Sequence, residues 1–144
     1  MNSVPSKSYF TSWSTTKQLT VPNSTHRVNY SPDILYKFEE ESAIYNYKIG
    51  AEAVLDCKNK AYNIFSNADI YQIITYGSAL QSDKAILIYP SFTEKENMYI
   101  DLDNELFSPN RVYGCFINIV DNTGEGFEQS ISNFVWKLFE ILDM

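Results

Sequence analysis

Residues 51–90 read AEAVLDCKNKAYNIFSNADIYQIITYGSALQSDKAILIYP, and the order of patterns within them decides the fold. Ala51 to Lys58 is apolar in its middle, which suits a strand buried on both faces. Ser66-Asn67-Ala68-Asp69 fits a helix start, a serine N-cap followed three positions on by an acidic residue. Ile70, Ile73, Ile74 and Gly77 then recur at i, i+3, i+4 and i+7, which predicts a helix over about 67–81. Lys84 to Tyr89 is a short, uninterrupted apolar run closed by Pro90, the pattern of a central parallel strand. Strand, helix and strand in that order make a βαβ crossover, right-handed by the general rule for such units.

Outward from this unit the patterns are shorter. Upstream, Pro32-Asp33-Ile34-Leu35-Tyr36 opens an extended segment, since Pro32 biases Ser31 away from helix and the next apolar residues suit a strand. Glu39-Glu40-Glu41-Ser42 reads as a turn, with a further strand beginning near Ile44 to Tyr47 and broken by Gly50. Downstream, Met98 to Leu102 and Arg111 to Val120 read as two more strands. Phe127, Ile131, Phe134, Val135, Leu138, Ile141 and Leu142 then form a long apolar stripe on a C-terminal helix. Residues 1–27, rich in Ser, Thr and Asn with Pro5 and Pro22, read as a loosely ordered leader, and 28–144 as one α/β domain with a mixed sheet.

Composition bounds the class. The 144 residues are 44% apolar and 15% aromatic, enough for a real core and unlike a disordered chain. No apolar run approaches the roughly 18 residues that a membrane helix needs. The opening MNSVPSKSYF lacks the basic and apolar regions of a secretory signal. Cys57 and Cys115 are too few and too far apart for a disulfide scaffold or zinc ribbon, and one histidine, His26, excludes multi-histidine metal sites. These readings predict a soluble protein of the reducing cytoplasm with no membrane partner. Eleven basic residues against 18 acidic give a net charge of −7, which alone argues against a nucleic-acid binder. A metal-dependent nuclease needs carboxylates, however, and a partner subunit can supply the basic surface.

Asp56-Cys57-Lys58 is where chemistry is expected. On a strand, positions 56 and 58 point to one face, while Leu55 and Cys57 point to the other. A carboxylate and an ammonium thus project together from the end of an otherwise apolar strand, a costly burial unless they pair or bind an ion. A hairpin between Asp33 and Asp56 would set their two strands side by side. Two carboxylates brought together repel, and a divalent cation such as Mg²⁺ or Mn²⁺ relieves that repulsion. The plainer alternative is a surface ion pair at a strand edge. Elsewhere, Asp101 to Glu105 lacks the glycine and spacing of an EF-hand loop, and Gly124-Glu125-Gly126 reads as a turn before a helix. Cys57 and Cys115 read as small core residues.

Four segments in one order carry a family resemblance: Pro32-Asp33-Ile34-Leu35, Val54-Leu55-Asp56-Cys57-Lys58, Ala68-Asp69-Ile70-Tyr71-Gln72 with Tyr76, and Leu87-Ile88-Tyr89-Pro90. Together they resemble the PD-(D/E)xK nuclease superfamily, and within it the McrC-like nuclease domain of McrBC modification-dependent restriction systems. The resemblance spans about residues 30–90. It implies a restriction-endonuclease-like mixed sheet flanked by helices and Mg²⁺-dependent hydrolysis of DNA, with Mn²⁺ as a substitute. It implies that Asp33 and Asp56 hold the metal with the main-chain carbonyl of Cys57, that Lys58 is the catalytic lysine, and that Gln72 positions the lysine or the nucleic acid. It also implies an McrB-like AAA+ GTPase as partner. Asp69, Gln72 and Tyr76 share a helix face that would look toward the site, or else serve as a helix-start carboxylate and solvent-facing groups. The alternative function is a non-catalytic or truncated nuclease-fold module acting by protein–protein assembly.

Overall fold

A computed structural model describes residues 9–12, 17–20, 27–30, 32–43, 46–59, 64–102, 109–119 and 123–144. Its centre is a six-stranded mixed sheet. The strands are β1 (Phe10–Ser12), β4 (Ile34–Tyr36), β7 (Ala53–Cys57), β8 (Lys84–Ser91), β10 (Arg111–Asn118) and β9 (Met98–Asp101), in that spatial order. β7, β8 and β10 run parallel, while β1, β4 and β9 pair antiparallel to their neighbours. Two ribbons stand apart from it: β2 (Lys17–Thr20) with β3 (Arg27–Tyr30), and β5 (Glu39–Ala43) with β6 (Asn46–Gly50). The sheet therefore takes in Phe10–Ser12, from the stretch read as a leader.

Residues 39–42, expected as a turn, lie instead in β5. The pairing of a two-stranded ribbon is satisfied by main-chain hydrogen bonds, so such strands carry no apolar alternation to read in advance. Of the strand expected near Ile44 to Tyr47, residues 44 and 45 lie outside the described residues, while Asn46 and Tyr47 open β6, which runs through Gly50 instead of breaking there. β8 likewise continues through Pro90 to Ser91, and the strand expected over Arg111 to Val120 is described as far as Asn118. Helix α1 (Asn67–Ala79) is capped by Ser66, whose side chain accepts from the Asp69 N–H. Helix α2 (Gly124–Leu142) is capped in the same way by Thr123, which accepts from the Gly126 N–H.

Alternation along the central strands divides the core into two layers. Val54, Leu87, Tyr89, Val112 and Phe116 pack with Ile73, Tyr76 and Leu80 on the α1 side. Leu55, Ile86, Ile88, Tyr113 and Cys115 pack with Leu138, Phe139, Ile141 and Leu142 on the α2 side. Both faces of the parallel strands are thus covered, which explains why they read as unbroken apolar runs. α1 lies between β7 and β8 in sequence and covers one face. The C-terminal ends of these two parallel strands meet the N-terminal turn of α1, the position where open α/β sheets carry their sites.

Candidate active site

Asp56 is the last inward-facing residue of β7 on the α1 side and is 6% exposed. Lys58 follows it on the same face, as strand alternation predicts, and its Nζ lies 2.5 Å from Asp56 Oδ2. This is no strand-edge pair: β7 is an interior strand, and both side chains are largely removed from solvent. The Lys58 main chain is fixed as well, its N–H donating to the Ile88 carbonyl at 2.8 Å.

Asp33 reaches the site from the neighbouring strand. Pro32 is fully buried just before β4, and β4 pairs antiparallel with β7 through Ile34 opposite Leu55. That register delivers Asp33 to the end of β7, where its Oδ2 accepts from the Cys57 N–H at 2.8 Å. Burial is the largest influence on the Asp56 carboxyl and pushes it above the ordinary carboxylate value. Hydrogen bonding and charge from Lys58 pull it down, and the charge and a side-chain contact of Asp33 push it up again. The Asp33 carboxylate, held on the main chain next to Asp56, is thus close enough to disfavour its charge.

Helix α1 closes the site from above. Gln72 Oε1 accepts a hydrogen bond from Lys58 Nζ. Asp69, one turn earlier, is 4% exposed, and its Oδ1 lies 3.9 Å from Lys58 Nζ. Tyr76 faces the core and packs among the α1-side residues. Of the three residues on that helix face, the structure brings Asp69 and Gln72 to the lysine and leaves Tyr76 in the core.

Two further groups reach the site that sequence reasoning did not single out for it. The Tyr89 hydroxyl donates to Asp69 Oδ2 at 3.2 Å and accepts from the Phe65 N–H at 3.0 Å. Burial dominates at Tyr89 and raises its hydroxyl to about 12, with the Phe65 N–H opposing and the Asp69 charge adding. Phe65 holds its place with a φ of 59°, uncommon for a bulky residue, and its ring stands edge-on to Tyr89. Gly114 makes room for that ring: a Cβ there would lie 2.9 Å from Phe65 Cζ. The available signal was a phenol at the end of an apolar strand, in register with Leu87 on the same face.

Cys57 departs from expectation. It is exposed, whereas Cys115 is buried as expected. Cys57 is the end residue of β7, beyond the cover of α2, and its side chain belongs to the opposite face from Asp56. There it lines an apolar groove of about 450 Å³ with Ile34, Leu55, Ile88, Phe134 and Leu138. This groove lies on the α2 face and is lined at the end of β7 by Lys58 and Asn59 as well, whereas the carboxylates lie on the α1 face. Burial raises the Cys57 thiol above its usual value, with Asp33 and Asp56 adding to the rise.

Among the described residues no group of three or more His, Cys, Asp or Glu side chains is placed to hold a metal ion. The oxygen donors that converge are the paired carboxylates of Asp33 and Asp56, and any ion there would need main-chain or solvent oxygens to complete its shell. Among the described residues, too, no helix is long and apolar enough to cross a membrane. Compared with known families, residues 3–90 match the family model described as McrBC 5-methylcytosine restriction system component, a stretch that contains every residue of the site. No curated protein and no solved structure matches the chain.

Proposed function

The chain belongs to the McrBC 5-methylcytosine restriction system component family, and from that premise we propose that it is the DNA-cutting subunit of such a system, a metal-dependent endonuclease acting in the cytoplasm. The observation that carries the reading is the meeting of Asp33 and Asp56, from two different strands, beside the Lys58 amine. The mixed sheet with a helix on each face agrees with a PD-(D/E)xK nuclease fold.

The donor set fits a divalent cation. Two hard carboxylate oxygens stand together, and burial with mutual repulsion disfavours the ionised form of Asp56. Asp33, Asp56 and the main-chain carbonyl of Cys57 would hold Mg²⁺ or Mn²⁺, which would polarise a phosphodiester and stabilise the charge developing on it. Lys58 is held by Asp56 and Gln72 with its ammonium at the centre of the site, where it orients the attacking water and steadies negative charge. Gln72 fixes the amine from the helix side. The resemblance to McrC-like subunits implies a GTP-hydrolysing AAA+ partner that holds and translocates the DNA, and the net charge of −7, which gives this chain little purchase on a phosphate backbone, fits that division.

Cleavage of methylated plasmid DNA with the partner subunit, GTP and Mg²⁺ tests the proposal. Asp56→Ala and Lys58→Ala are each expected to lower cutting by about 100-fold or more while the protein still melts cooperatively. Unchanged cutting in both variants overturns the assignment. A wild-type chain that neither cuts nor binds Mn²⁺ leaves the fold acting by assembly alone.

A further inference from the structure

A buried carboxylate is costly unless its oxygens are satisfied, and Asp69 is 4% exposed. Its position is fixed from three directions. Its N–H donates to the Ser66 Oγ at 3.3 Å, which anchors it in the first turn of α1. Its Oδ2 accepts from Tyr89, and its Oδ1 faces Lys58 Nζ. The sense of the chain is set by elementary donor and acceptor rules. An amide N–H only donates, so the Phe65 N–H occupies a lone pair of the Tyr89 oxygen and commits the single phenolic proton to Asp69. The other oxygen lies 3.9 Å from Lys58 Nζ.

We propose that Asp69 and Tyr89 are positioning residues for Lys58, a buried Phe65–Tyr89–Asp69 relay of hydrogen bonds that holds the ammonium from the α1 helix. The inference rests on the reading of Lys58 as the catalytic lysine. Of the acceptors around Nζ, Asp56 is also a proposed metal donor, whereas Asp69 and Gln72 belong to the helix and are not. The helix pair therefore keeps the amine in place independently of how the Asp56 oxygens are shared. The 3.9 Å separation is an ion-pair distance in the free protein, and catalytic contacts commonly tighten once substrate is bound.

The test has an arm that needs no activity. The full-length protein is acetylated with a limiting amine reagent, and modification is read site by site by mass spectrometry, with exposed Lys37 as internal reference. Asp69→Asn, which sets an amide donor against the ammonium, is expected to speed Lys58 modification several-fold. Tyr89→Phe, which removes one hydroxyl, acts in the same direction but less, and Tyr71→Phe on the exposed side of α1 has no effect. In the complete cleavage reaction, Asp69→Asn and Tyr89→Phe lower kcat by about 10–100-fold with KM for DNA unchanged, and Asp69→Glu restores part of the rate. Lys58 reactivity that is the same in wild type, Asp69→Asn and Tyr89→Phe overturns the proposal. So does a loss of activity confined to KM. A wild-type chain that cuts nothing overturns the nuclease reading instead, and the acetylation comparison still decides this one.

Discussion

Burial and two neighbours act on Asp56 in opposite senses: desolvation and Asp33 disfavour its charge, and Lys58 favours it. Asp56 and Lys58 were legible in the sequence because strand alternation is rigid, so a D-x-K at the end of an apolar strand must place both groups on one face. Asp69 was less so, since an acidic residue after a serine N-cap is sufficiently explained by the helix end alone. What the chain order does not reveal is how the helix docks, and docking is what sets Asp69 between Tyr89 and Lys58. Tyr89 offers a prediction at this scale. Its hydroxyl ionises near 10 in the unfolded chain and at about 12 in the folded one, so the folded state keeps the proton longer. The resulting stability is fully present below pH 10 and is lost as pH rises from about 10 to about 12, to the extent of about 1–3 kcal/mol. Denaturant unfolding at successive pH values across that window is expected to show a shallower decline in Tyr89→Phe than in wild type. Cys115, also raised to about 12 by burial, contributes equally to both proteins.

Helix α1 is the element on which the site depends, and its seat on the sheet leaves little freedom. Gly77 faces the buried ring of Pro109: a Cβ at position 77 would lie 2.6 Å from Pro109 Cδ and 3.6 Å from Val54 Cγ1. Helix propensity alone favours alanine over glycine by about 1 kcal/mol. A proline ring fixed in the core does not swing aside, so the steric term wins. Gly77→Ala is expected to destabilise the protein by about 1–3 kcal/mol, read as a lower unfolding midpoint, and a higher midpoint would show that the helix shifts freely. The helix itself was readable from Ser66 and the isoleucine spacing. Strand β5 was not, because its pairing with β6 is carried by the main chain and leaves Glu39 to Ser42 looking like a turn.

At the scale of the whole molecule, the site is a product of strand order. β4 lies beside β7 only because the chain leaves through the β5–β6 ribbon and returns antiparallel, and that return carries Asp33 to Asp56. Periodicity showed the βαβ unit and the apolar stripe of α2, since both depend on contacts the pattern itself encodes. It did not show that Phe10–Ser12 would extend the sheet past β4, because pairing partners far apart in sequence leave no period. Nor did the apolar character of β7 distinguish its two ends. The strand is buried throughout except at Cys57, where the cover of α2 gives way to the open groove.

The convergence of Asp33 and Asp56 is tested most directly by titrating Mn²⁺ into the full-length protein in a calorimeter. The account predicts one binding site, abolished by Asp33→Ala and by Asp56→Ala and retained in Gln72→Ala. Mn²⁺ binding that survives either carboxylate substitution, or that is missing from the wild type, would contradict it.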